Sequence, residues 1–233
     1  NHGRVVAASV NMDVIAVVSA NESGSVKIKS KGYPMDTVEL SDLDAKASEE
    51  NKAISLIRGT LSRFVQKGHA VGSFDAYTTS NVLKGSGLSS SAAFEVLVGT
   101  ILSHLYNEGS VDAVEIAKYA QYAENVYFGK PSGLMDQMAS SVGSVITIDF
   151  ADTENPIIEK IDFDMEAMGC ALCIVDVGGN HADLTHEYAA IPTEMKEVAG
   201  FFGRDVLRGV SYRELIANAS RIRAQFGDRA FLR

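Results

Sequence analysis

Two cysteines and four prolines are all that the 233 residues contain of either type. So little proline excludes a collagen-like or mucin-like chain. Two cysteines are too few for a disulfide scaffold and suit a reducing cytoplasm. They form Cys170-Ala-Leu-Cys173, with His181 and His186 close behind, a spacing that invites a zinc or redox reading. However, Cys170 to Val177 reads as a buried strand, and positions three apart on a strand point to opposite faces. A metal site is therefore not expected there. No apolar run approaches the roughly 20 residues of a membrane span. The longest runs, Val5 to Val10 and Val14 to Ala20, are split by Asn11 and Asp13. That polar break, with no cationic start, favours two strands over a secretory segment. Basic residues are in deficit, 21 Lys and Arg against 30 Asp and Glu, a formal charge of −9. With no Lys/Arg-rich run either, nucleic acid is not the expected partner.

Apolar residues make up 46% and charged residues 22%, which is ordinary for a globular protein and excludes a disordered chain. The length suits one large or two modest domains with a real core.

The first third reads as β-rich. Arg4 to Val10, Val14 to Ala20, Ser25 to Lys29 and Thr37 to Leu40 are short runs of β-branched and apolar residues, with a turn at Asn21 to Gly24. Ser48 to Lys67 carries Ala53, Leu56, Ile57, Leu61, Phe64 and Val65 at helical spacing and stops at Gly68. A strand follows over 73–82. Helices are expected over 92–106, 111–127 and 132–142, then strands over 144–150 and 157–163. A last helix presents Tyr188, Ile191, Met195, Val198 and Phe202, with Pro192 in its first turn or at a kink. Strands cluster early and helices follow, so the fold class is α+β, a mixed sheet with helices on one side.

The strongest local signal is Gly85-Ser-Gly-Leu-Ser-Ser-Ser-Ala-Ala93, between a strand and a helix. Glycines let the backbone approach a ligand closely. Serine hydroxyls, free N–H groups and the helix dipole together make an anion site, most naturally for phosphate. No Gly-Lys-Ser/Thr closes it, so it is not a Walker A loop. Ser90 stands where a Rossmann fingerprint needs its third glycine. An ordinary Gly/Ser turn with a serine cap is the plain alternative.

This stretch resembles the second signature of the GHMP small-molecule kinases. Gly133-Leu-Met-Asp-Gln137 and Gly178-Gly-Asn-His-Ala-Asp-Leu-Thr-His-Glu-Tyr188 narrow the resemblance to the galactokinase branch, in the right order along essentially the whole chain. The resemblance implies a GHMP kinase fold. Residues 1–165 would be the ATP-binding domain, with a mixed sheet like the second domain of ribosomal protein S5. Residues 166–233 would begin a ferredoxin-like C-terminal domain. It implies ATP and Mg2+ as cofactors and galactose as the sugar, phosphorylated at its anomeric hydroxyl. Gly85, Ser86, Gly87, Leu88, Ser89, Ser90 and Ser91 would hold the ATP phosphates, with Ser89 nearest the metal. Asp136 would be the base facing the sugar hydroxyl, and Gly133 and Tyr188 would touch the sugar.

There are departures. Leu83 and Lys84 precede the loop where relatives often have proline, and Ser86 replaces a common glycine. The family's first signature is expected just before Asn1 and the third, glycine-rich one beyond Arg233. A protein of only these 233 residues is expected to be inactive. Two alternatives stay open: a non-catalytic sugar and ATP sensor, and a kinase for a related sugar. The intact Ser89-Ser-Ser-Ala-Ala93 and Asp136 favour an enzyme. Glu95, on the helix after the loop, either approaches magnesium or faces solvent; Lys84 and Lys130 flank the motifs and could touch phosphate, though solvated lysines are more common.

Overall fold

The computed structural model describes residues 2–82, 87–175 and 185–233, with only the backbone of 185, 186, 188 and 189. The chain divides into two compact units, Ala7–Val145 and Asn1–Val6 with Ile146–Arg233. That division differs from the 165/166 boundary expected from the sequence.

The unit Ala7–Val145 is built on a four-stranded mixed sheet in the order β2-β5-β3-β4. Its strands are β2 (Val14–Ala20), β3 (Ser25–Ser30), β4 (Met35–Glu39) and β5 (Phe74–Ser80). β2 runs antiparallel to β5, β3 antiparallel to β4, and β3 parallel to β5. Period-two alternation decides which face is buried. Val26, Ile28, Val38 and Phe74 are fully buried, while Ile15, Val17 and Tyr77 on the other face are exposed. The buried face packs into one core with helix α1 (Ala53–Gln66), α2 (Ser90–Tyr106) and α3 (Ala113–Tyr122), through Ile57, Leu61, Phe64, Val98, Leu102, Ile116 and Ala120. Each such side chain contributes about 1.5–3 kcal/mol by leaving water.

Two element ends differ from the sequence reading for local reasons. The helix expected from residue 48 begins at Ala53, because Asn51 takes a left-handed φ of 61°. Ahead of it lies only a single 3₁₀ turn, Ala47–Glu49. α3 is begun by the Asp112 side chain, which accepts from the Glu115 N–H. Its α geometry ends at Tyr122, and the chain continues as a π-helical turn, Ala123–Phe128. Gly129 then ends it. α4 (Met135–Val142) follows after a short loop.

The other unit has β1 (Arg4–Ala8), β6 (Val145–Asp149) and β7 (Ile157–Ile161) in the order β1-β6-β7. Arg208 grips Asp149 through two hydrogen bonds of 2.6 and 3.0 Å. Together with Arg4 and the Ala151 N–H, it holds that carboxyl well below the usual range. Helices α5 (Thr185–Phe201), α6 (Tyr212–Ala217) and α7 (Ala219–Leu232) pack around Val198, Ile222 and Ala230. Pro192 lies inside α5, at its eighth residue and so beyond the first turn. The buried strand expected over 170–177 is not formed by residues 170–175. They carry no ladder, and Leu172, Val175 and both cysteines are exposed. Apolar β-branched residues alone do not make a strand without a neighbour to pair with.

Candidate active site

The site grows from two helix starts within Ala7–Val145. α2 begins at Ser90, and the residues just before it are set by backbone conformation rather than by packing. Gly87 has a φ of 82°, and Ser89 is also left-handed, at φ 56° and ψ 52°. A non-glycine residue held there stores roughly 1–2 kcal/mol of strain. Ser89 makes no side-chain cap on its own helix. Its hydroxyl instead donates to Asp136 Oδ2. Asp136 sits in the first turn of α4, where the helix dipole favours a negative charge. The predicted phosphate-loop serine and the predicted base are thus brought together.

Ser91, the second residue of α2, donates to Glu124 Oε1 at 3.0 Å. Glu124 lies in the π turn and is a hub. Lys130 Nζ reaches the same oxygen at 2.9 Å, while Ser132 Oγ and Gln137 Nε2 donate to Oε2 at 2.6 and 2.8 Å. Burial alone would raise the Glu124 carboxyl. The hydrogen bonds from Ser132 and Lys130, the Lys130 charge and the Ser91 hydroxyl outweigh it and leave the carboxyl below its ordinary value. Lys130 is therefore paired with a buried acid, not simply solvated.

Glu95, which the sequence left between an approach to magnesium and a place in solvent, is fully buried. Gln137 Nε2 donates to its Oε2 at 3.3 Å. Burial raises the Glu95 carboxyl well above its ordinary value, and the neighbouring Glu124 charge adds to this.

The other predicted positions are as follows. Leu88 and Ser90 are half-buried at the start of α2, and Gly87 is exposed. Gly133 is exposed, and a Cβ there would meet nothing within 4 Å, so packing does not demand a glycine. Gly85 and Ser86 lie outside the described residues, as does Gly178 to His181. Tyr188 is in α5, but its side chain lies outside what is described. Among the described residues no group of three or more His, Cys, Asp or Glu side chains is arranged to hold a metal.

Glu124 was not singled out from the sequence, yet a signal existed. It shares a helical stripe with Ala120, Ala123 and Tyr127, all buried. Glu95 likewise sits in register with Ala92, Val98 and Leu102. A carboxylate on an apolar stripe must be either paired or neutral.

The sequence of residues 55–144 matches the model of the GHMP kinases N terminal domain. The chain is 32% identical to a galactokinase of Streptomyces coelicolor over 222 residues, which is 95% of this chain and 57% of that protein. Residues 55–144 carry a GHMP kinase N-terminal domain. The chain is also 34% identical to a galactokinase of Bacillus subtilis over 145 residues, 61% of this chain and 37% of that one. Its fold matches the crystal structure of Lactococcus lactis galactokinase complexed with galactose, with a TM-score of 0.76 at 22% identity. The match covers 99% of this chain and 61% of the other. The chain thus spans a little over half the length of the Streptomyces relative, and the fold class expected from the sequence is the one observed.

Proposed function

We propose that the protein containing this chain is a galactokinase, transferring the γ-phosphoryl group of ATP to the anomeric hydroxyl of α-D-galactose. The observation that carries the reading is the hydrogen bond from Ser89 to Asp136. It brings the start of α2 against Asp136, which supports reading the first as the phosphate end of the site and the second as the base. Phosphoryl transfer asks a protein chiefly for positioning and for charge stabilisation.

On this reading the N-terminal turn of α2, with Ser90 and Ser91, holds phosphate oxygens through its N–H groups and dipole. Asp136 orients the sugar hydroxyl and accepts its proton on a carboxylate oxygen as the new O–P bond forms and ADP leaves. Gly133 offers an open backbone for the sugar to approach, and Tyr188 is proposed as a further sugar contact. The donor set near α2 is all oxygen, which suits a hard cation. Mg2+ keeps several waters and needs few protein ligands. Ser89 is the hydroxyl proposed to hold it, and it would supply charge neutralisation on the phosphates.

No helix of the described residues is long and apolar enough to cross a membrane. A cytoplasmic setting is proposed from the free cysteines. The test is coupled ADP release by the full-length protein on adding galactose. Binding of sugar and ATP without turnover would replace this reading with that of a sensor. Turnover with another sugar alone would change the substrate.

A further inference from the structure

Glu95 and Gln137 are both fully buried, on α2 and α4. Gln137 uses its Nε2 twice, toward Glu124 Oε2 and Glu95 Oε2. What remains is one oxygen on each side chain, Glu95 Oε1 and Gln137 Oε1, each buried and without a hydrogen-bond partner. Two orphaned acceptors on a pair that already shares one hydrogen bond leave their lost hydration uncompensated. Flipping the amide would not help, because it would turn the carbonyl toward the charged Glu124. A single proton on Glu95 resolves both, since a carboxylic acid donates where a carboxylate cannot.

We propose that Glu95 is kept as a neutral acid, donating to the Gln137 carbonyl while accepting from its amide, and that this pair is the positioning element that fixes Gln137 on Glu124. Gln137 directly follows Asp136. Fixing it fixes the first turn of α4 and, through Glu124, the Ser91 end of α2. The groups that bear on Glu95 agree. Glu124 in the π turn and Asp136 on α4 disfavour a second negative charge, and Lys130 offsets them only in part. Glu95 is thus a positioning residue, not a catalytic one. The second half of this proposal rests on reading Asp136 as the reacting carboxylate. The proton does not.

The proton is tested first, without substrate. Isotope-edited infrared spectra of the wild-type protein against Glu95→Gln at neutral pH are expected to show the carbonyl stretch of a protonated acid that the substitution removes. Urea midpoints of the two proteins are expected to converge at acid pH. As pH rises above the ordinary glutamate value of 4.5, the wild type alone should fall behind. Loss of a carboxylate band instead, or parallel midpoints across pH, would overturn the proposal. Activity of the full-length protein then tests the positioning. Glu95→Gln reproduces both hydrogen bonds and should keep kcat. Gln137→Leu, which breaks them, should lower kcat about tenfold or more with little change in the KM for ATP. A Glu95→Gln enzyme as slow as Gln137→Leu would overturn that half alone.

Discussion

Ser89 gives its hydroxyl to Asp136, a residue 47 positions further along the chain. The bond ties the first turn of one helix to the first turn of another. Both ends are helix N-termini, so the partial positive charges of two dipoles converge where the proposed reaction places phosphate and carboxylate.

Asp136→Asn in the full-length protein should lower galactose phosphorylation by roughly 10²–10⁴-fold, the usual contribution of a positioned base. ATP affinity should hardly change, because Asp136 is not proposed to touch the nucleotide. Coupled ADP release with nucleotide titration measures both. Wild-type turnover in this variant would remove Asp136 from the mechanism.

Ser89→Ala and Ser89→Gly both delete the hydroxyl on Asp136 and should slow the reaction alike. They should differ in stability. Glycine relaxes the left-handed backbone at φ 56°, whereas alanine keeps it strained. We expect the glycine variant to be the more stable by up to about 1 kcal/mol in chemical denaturation. Equal midpoints would mean that the strain is relieved some other way.

Lys130→Met leaves the buried Glu124 carboxylate with hydroxyl and amide donors only. Breaking a fully buried pair costs about 3–5 kcal/mol, and since half of the Lys130 side chain faces water we expect roughly 1–3. The pH dependence has a definite sign. Glu124 is held below its ordinary 4.5, so its contribution to stability is present above that value. It is lost as pH falls through the folded value. The variant's deficit should therefore be largest near neutrality and shrink in acid. Denaturation series at several pH values check this, and a deficit that grows in acid would contradict the pairing.

Gly59→Ala tests how the π turn is seated. A Cβ at Gly59 would lie 2.8 Å from Ala123 Cα and 2.9 Å from Tyr127 Cγ, one residue before Glu124 and three after it. Overpacking of this kind costs typically about 1–3 kcal/mol. The displaced turn should also reduce turnover, whereas Gly133→Ala should leave stability nearly unchanged, since a Cβ at 133 meets nothing within 4 Å. Thermal melts and ADP release on the same two variants decide it.

The sheet strands were legible as short runs of β-branched and apolar residues, while the alternating burial along Val14–Ala20 appears only once the strand has a sheet to lie in. The loop serines and Asp136 were legible as motifs. The π turn was not, because nothing local in Ala123–Phe128 distinguishes it from a continuing α-helix. The turn packs closely on Gly59, more than sixty residues earlier, a neighbour that no local window shows. The place of Glu95 was left open and Glu124 was not singled out, because a lone carboxylate on a helix is usually solvated. Their apolar neighbours one turn away argued otherwise. The strand expected at Cys170 failed for the opposite reason, since its composition was right but a pairing partner is a tertiary fact.

A serine at the head of a helix ordinarily closes it, and Ser89 does not. Its hydroxyl is spent on another helix, which leaves α2 to be completed from outside. A phosphate group would then stand to α2 as an asparagine or aspartate stands to most helices. Nucleotide would be the last turn of secondary structure to form. Amide exchange at residues 90–93 should accordingly slow on adding ATP before any sugar is present.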